Sequence, residues 1–244
     1  MPALLALISI AGRRWGPGIA GWLAGFPSLT GPILLFLALE RGTEFAAHAA
    51  VTSLASVFCA VSFGITYAWA CRRLHWFWSW LCALASWTLA GTLLNQVSLS
   101  ELGALVVALL TLFAAPRLFP RAQAQWGGHV LPAQELLLRM AAGAAMVLTV
   151  TAVAEAVGPA WTGLIAAFPV MSTVLAVFSH RANGPGFVVA LLRSMIGGFY
   201  SFIAYCLSVA LLLEHWGVAA TFVLAVTAAV AVQGAARAVM LRLA

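Results

Sequence analysis

GPGIAGWLAGFPSLTGPILLFLALERGTEF, residues 16–45, is matched without a gap by GPAWTGLIAAFPVMSTVLAVFSHRANGPGF, residues 158–187, with Gly158 lying 142 positions after Gly16 and every later pair keeping that spacing. Gly16/Gly158, Pro17/Pro159, Gly21/Gly163, Ala24/Ala166, Phe26/Phe168, Pro27/Pro169, Phe36/Phe178, Gly42/Gly184 and Phe45/Phe187 coincide, and Thr30/Ser172 both keep a hydroxyl. The coincidences include the helix-breaking residues, which an apolar composition alone would not align. An apolar unit present twice marks an internal repeat, and repeats inverted across the bilayer are a common construction of secondary transporters.

Composition places the chain in lipid. Of 244 residues 64% are hydrophobic and only 7% charged, and the mean hydropathy is +1.05, which leaves too little polar surface for a water-soluble domain of this size. All twelve basic residues are arginine; lysine and aspartate are absent, and the six acids are glutamates. No basic run exceeds the pairs Arg13-Arg14 and Arg72-Arg73, so the sequence predicts anionic lipid headgroups as its ionic partners and no nucleic acid. Cys59, Cys71, Cys82 and Cys206 have neither CxxC spacing nor ligand neighbours and are read as small apolar packing residues. No metal or cofactor is expected. Nor is an enzyme, since no phosphate-binding glycine loop, HExxH or GxSxG occurs.

Apolar length and breakers predict an all-α polytopic membrane protein of about nine spans, near residues 2–12, 17–39, 45–71, 76–96, 101–116, 136–157, 160–179, 187–213 and 217–241. The first span is short, rising only about 18 Å; either it is a short helix or the start of translation lies upstream. Its apolar run precedes Arg13-Arg14, the reverse of a secretory signal. The second and seventh spans carry the matched stretches, and being five apart they enter from opposite sides. The expected organisation is a first membrane repeat over 1–98, a linker helix and cytoplasmic loop over 99–134 that invert the chain, and a second repeat over 135–244.

Charge follows this count. With the loop after the first span in the cytoplasm, ten of the arginines fall at or near that face and only Arg41 at the other. Aligned loop positions differ in charge in the same sense: Arg13 pairs with Glu155, Arg72 with Glu214 and Arg73 with His215. This predicts a bacterial inner-membrane protein with a periplasmic N-terminus and a cytoplasmic C-terminus.

The chemistry is expected at the two Phe-Pro pairs. Phe26-Pro27 and Phe168-Pro169 stand near the middle of their spans, where proline removes a backbone donor and clashes with the preceding turn. Non-helical backbone at bilayer depth is tolerated only when packed in protein or lining a wet cavity. Ser28, Thr30, Ser172 and Thr173 would offer hydroxyls there beside the positive ends of half-helices. The alternative is a simple proline kink with the hydroxyls bonded back to their own helix. Arg193, six or so residues into its span, is a candidate counter-ion for an anionic solute, or a side chain that snorkels to headgroups. Glu44 and His48 lie four apart on one helical face, where a carboxylate and an imidazole would relay protons; for Glu40, Arg41 and Glu44 the alternative is a solvated loop. Glu155 and His180 are expected at span ends, facing water.

From Glu135 to Arg242 the chain resembles the GlpM-like family of small four-span bacterial inner-membrane proteins, on Gly163-Leu164-Ile165, Phe168-Pro169, the turn at Gly184, Leu191-Leu192-Arg193 and the aromatic region Tyr200–Tyr205. The first stretch resembles the same pattern more faintly, so the chain looks like a fused, inverted duplication of such a unit. The resemblance implies an envelope-associated membrane protein linked to exopolysaccharide production, without a defined reaction. Two functions are therefore expected of the sequence. One is a secondary transporter of a small polar or anionic solute, proton-coupled through Glu44 and His48; the other is an accessory subunit in a homo-oligomer or an envelope-assembly complex. The topology is directly testable by single-cysteine labelling in a background lacking the four native cysteines. Positions 13, 72 and 117 should react from the cytoplasmic side and positions 101, 155 and 214 from the opposite side; reaction of 101 and 117 from one side would remove the inversion.

Overall fold

Nearly every residue described by the computed structural model, which covers 2–97, 99–121, 133–157 and 168–243, is helical. The order is α1 (Pro2–Trp15), α2 (Pro17–Ala24), α3 (Thr30–Glu40), α4 (Thr43–Ala70), α5 (Trp76–Asn95), α6 (Glu101–Leu118), α7 (Ala133–Val157), α8 (Val170–Trp216) and α9 (Val218–Leu243). Six of these, α4 to α9, are long and apolar enough to cross a bilayer. Large apolar side chains stand outward: Leu148, Leu102, Val223 and Phe113 are each about two-thirds exposed or more. Such a surface is stable against hydrocarbon, not water, and the chain is an all-α polytopic membrane protein.

Local chemistry sets the helix ends. Ser100 caps α6, its Oγ accepting from Gly103 N at 3.2 Å. Pro17 opens α2 at the first helical position, where its missing N–H costs nothing. Gly42 (φ 96°) separates α3 from α4, and Gly184 (φ 77°) bends α8 into a short arm, 170–183, and a long arm, 185–216. Both lie in the left-handed region that side chains with a Cβ avoid. One pair of helix starts keeps the spacing of 142 seen in the sequence: Trp76 opens α5 and Val218 opens α9.

The long arm of α8 is the spine, packed on α2, α4 and α9, while α4 packs in turn on α5 and α6. Its tightest contact is with α2, which presents Gly21 and Gly25 four residues apart to Leu191, Ser194, Met195 and Gly198. A Cβ on Gly25 would lie 2.6 Å from Met195 O and 2.7 Å from Gly198 Cα, so two backbones touch where small residues allow it. Ser194 Oγ sits in the crossing, its one proton shared between Leu191 O of its own helix at 2.8 Å and Pro17 O of α2 at 3.1 Å.

Charges segregate to the two ends of the bundle. Trp69 Nε1 donates to Leu118 O, Arg72 lies over Trp69 and Arg181 over Trp76, so the ends of α4, α6 and the short arm meet at one arginine-rich end. His48, Glu101 and Glu214 line one open groove at the other end. Residues 17–39 are two helices, α2 and α3, parted at the Phe26-Pro27 pair where a break was expected; the 160–179 span is helical from Val170, its earlier part lying outside the described residues. Other expectations need correction. His180 is half-buried instead of facing water, since the short arm lays it against Tyr67, whose hydroxyl is 3.3 Å from Nδ1. Cys82 is exposed rather than packed, and the side chain of Glu155 lies outside the described residues.

Gly25→Ala and Gly198→Ala should each destabilise the purified protein by about 1–3 kcal/mol through overpacking, seen as a lowered Tm. Gly18→Ala and Gly234→Ala, where an added Cβ meets nothing within 4 Å, should leave Tm unchanged or raise it.

Candidate functional site

The two Phe-Pro pairs build the same local structure. Ser28 N donates to Phe26 O at 2.7 Å and Gly31 N to Pro27 O at 2.9 Å; in the second stretch Val170 N donates to Phe168 O at 2.8 Å and Thr173 N to Pro169 O at 2.9 Å. Pro169, at φ −79° and ψ 61°, has the dihedrals of an inverse γ-turn, the three-residue turn closed by an i to i+2 bond. Proline favours it because the ring fixes φ near this value. Each turn delivers the chain into a helix N-terminus, that of α3 at Thr30 and that of α8 at Val170. N–H groups in such first turns lack intrahelical acceptors and carry the positive end of the helix dipole.

The surroundings of the two turns differ. At the first, Gly25 N and Phe26 N donate to Gly21 O and Leu23 O at the end of α2, and the other half of the chain supplies two further donors: Gln233 Nε2 to Trp22 O at 2.8 Å and Tyr205 OH to Gly31 O, in the first turn of α3, at 3.3 Å. Pro27 is buried, whereas Phe26, Ser28 and Thr30 are half-buried. Ser28 Oγ reaches back only to Phe26 O, at 3.5 Å. At the second turn Pro169 is buried and the ring of Phe168 meets Trp87 edge-on at 5.5 Å. Ser172 and Thr173 are buried. Ser172 lines a cavity of about 10 Å³ with Gly64, Met195, Ile196 and Phe199. Thr173 Oγ1 is buried with no hydrogen-bond partner among the described residues.

Both sites abut one turn of α8. Gly25 touches Met195 and Gly198, and Ser172 shares its cavity with Met195 and Ile196. Among the described residues no hydrogen bond or ring contact joins Phe26-Pro27-Ser28 directly to Phe168-Pro169. Arg193 is half-buried on α8, without an ion-pair partner among the described residues. Glu44 and His48 are exposed at the start of α4, at the glutamate-rich end of the bundle and away from the Phe-Pro turns.

Sequence reasoning missed four side chains. Gln233 and Tyr205 satisfy the first break, and Trp87 packs the second; an amide alone in the apolar run of α9 was the available signal for Gln233. The fourth is Arg139, expected at or near the cytoplasmic face and only 2% exposed within the bundle. It is held by Glu135 Oε1, one helical turn earlier, at 2.6 Å from Nη2 and 3.2 Å from Nε, and it lies over the ring of Phe178 at 5.7 Å. A buried arginine without its carboxylate is an uncompensated charge. Glu135→Gln should therefore destabilise the protein by about 3 kcal/mol, and Glu135→Leu combined with Arg139→Met should recover most of the loss, both read from Tm.

Compared with protein-family models, curated proteins and solved structures, the chain matches none, so the geometry of the paired turns carries the functional argument.

Proposed function

We propose that the chain is a secondary transporter or permease for a small polar or anionic solute, held where the two Phe-Pro turns face the spine of α8. The observation that carries this reading is the identity of the two turns, bond for bond, in stretches 142 residues apart. Met195 to Gly198, the turn of α8 that both sites touch, lies roughly 15–20 Å along the helix from Pro185, near half the depth of a hydrocarbon core about 30 Å thick. Two half-helix N-termini near that depth, related by inverted repeats, are the arrangement transporters use for anionic groups. Thr30, Ser172 and the unpaired hydroxyl of Thr173 supply the polar contacts, and Arg193 the positive charge. Glu44 and His48, beside the groove lined by Glu101 and Glu214, exchange protons with water at the mouth of the pathway. On this reading the arginine-rich end is cytoplasmic in a bacterial inner membrane, and no catalytic step is involved.

A second reading, an accessory subunit of an envelope complex in the manner of GlpM-like proteins, is favoured by one observation. The cavity beside Ser172 has room for about one water, which is too little for a solute in this conformation.

A thermal-stability screen of the purified protein against small polar and anionic solutes separates the two, since a bound solute stabilises by mass action. Thr30→Val, Ser172→Ala and Thr173→Val should each weaken binding of the stabilising solute about tenfold, the worth of one lost hydrogen bond to a ligand. Thr173→Val should also leave the solute-free Tm unchanged or raised, because it removes a buried hydroxyl with no partner. Full binding in all three variants would favour the accessory subunit.

A further inference from the structure

We propose that the junction of α1, α7 and the two arms of α8 binds a single monatomic anion of chloride size. A cavity of about 20 Å³ opens there, lined by Ser9, Arg13, Arg139, Ser179, Asn183 and Phe187. Its volume admits one water-sized particle and excludes a sulfate or phosphate.

Donors at this place outnumber acceptors. The Arg139 guanidinium has five N–H groups. Two are used by Glu135 and one by Ser9 Oγ at 3.4 Å, which leaves two. Ser9 is 3% exposed and accepts from Arg139, so its own O–H remains to be donated. Ser179 is 1% exposed and its Oγ has no partner among the described residues. Other helical serines of this molecule behave differently. Ser53, Ser62 and Ser208 each donate at 2.8 Å to the carbonyl four residues earlier, the ordinary resting place of a helical serine in an apolar setting. Ser179 makes no such bond to Leu175 O.

A guanidinium and two hydroxyls thus converge on a small space with hydrogens to donate. A water there would bring two further donors, while a halide accepts from all and brings none. Charge agrees with this. Glu135 neutralises Arg139 from outside the cavity lining, and Arg13, exposed at the mouth, adds a positive charge that draws anions inward. The Asn183 amide stands beside it. The site is separate from the Phe-Pro turns and does not rest on the transport reading.

The test is the Tm of the purified full-length protein as sodium chloride replaces sodium gluconate at constant ionic strength. A saturable rise with chloride is expected, with bromide acting likewise and giving an anomalous scattering peak beside Arg139 in crystals. Ser9→Ala and Ser179→Ala should each raise the half-saturating chloride concentration about tenfold, with little change of Tm in gluconate, and Arg139→Gln should abolish the response. If Arg139→Gln fails to fold, the two serine variants decide alone. Thr30→Val should respond like wild type, so loss of solute binding and loss of the halide site are distinguishable. Superimposable chloride and gluconate curves, meaning that the cavity holds only water, would overturn the proposal, as would serine variants with unaltered chloride response.

Discussion

Backbone touches backbone where α2 crosses α8, and the rest of the bundle is arranged around that contact. In hydrocarbon there is no hydrophobic force to press helices together, so attraction depends on dispersion and on how closely the chains approach. Gly21 and Gly25 on one side, with Ser194 and Gly198 on the other, allow the closest approach available. The crossing fixes α2 at the point where it stops being a helix, and its last carbonyls are presented to the neighbouring segments. Without it the interrupted stretch 25–29 would face lipid with its polar backbone uncovered, at several kcal/mol for each unsatisfied group.

Two kinds of polar satisfaction then operate in one apolar body. Around the first Phe-Pro turn, side-chain donors from the other half of the chain, Gln233 and Tyr205, reach the backbone carbonyls of Trp22 and Gly31. Around Arg139, hydroxyl and guanidinium hydrogens exceed the acceptors nearby. Both lie against α8, the element that touches α1, α2, α4, α5, α6, α7 and α9. A single kinked helix, bent at Gly184, therefore carries the packing and borders both polar sites.

How much of this the sequence discloses depends on whether the cause is local. The interruption at Phe26-Pro27 is legible because proline has no N–H wherever it stands. The bends at Gly42 and Gly184 are legible because a glycine between long apolar runs has few other uses. The lipid-facing exterior follows from composition. The burial of Arg139 and of His180 was missed for one shared reason: it depends on which helices lie alongside, namely α1 and the short arm for Arg139 and α4 for His180, and the order of residues along one helix does not specify its neighbours. Gln233 is conspicuous in its own helix, yet its acceptor, Trp22 O, lies 211 residues away. The Phe-Pro pairs were identified, but their closure as γ-turns and their shared border on Met195 depend on packing.

The bonds from Gln233 and Tyr205 to the first break set an order in time as well as in space. Synthesis runs from the N-terminus, so Trp22 and Gly31 leave the ribosome long before their donors do. At about 5–20 residues per second, the 211 positions from Trp22 to Gln233 take roughly 10–40 s to make. For that interval the carbonyls at the end of α2 are without the amide that will cover them, and water, lipid headgroups or the insertion machinery must hold them instead. The first half of the chain therefore cannot reach its final form when it is made. Completion of the break at the end of α2 thus waits for Gln233 of α9, 211 positions further on.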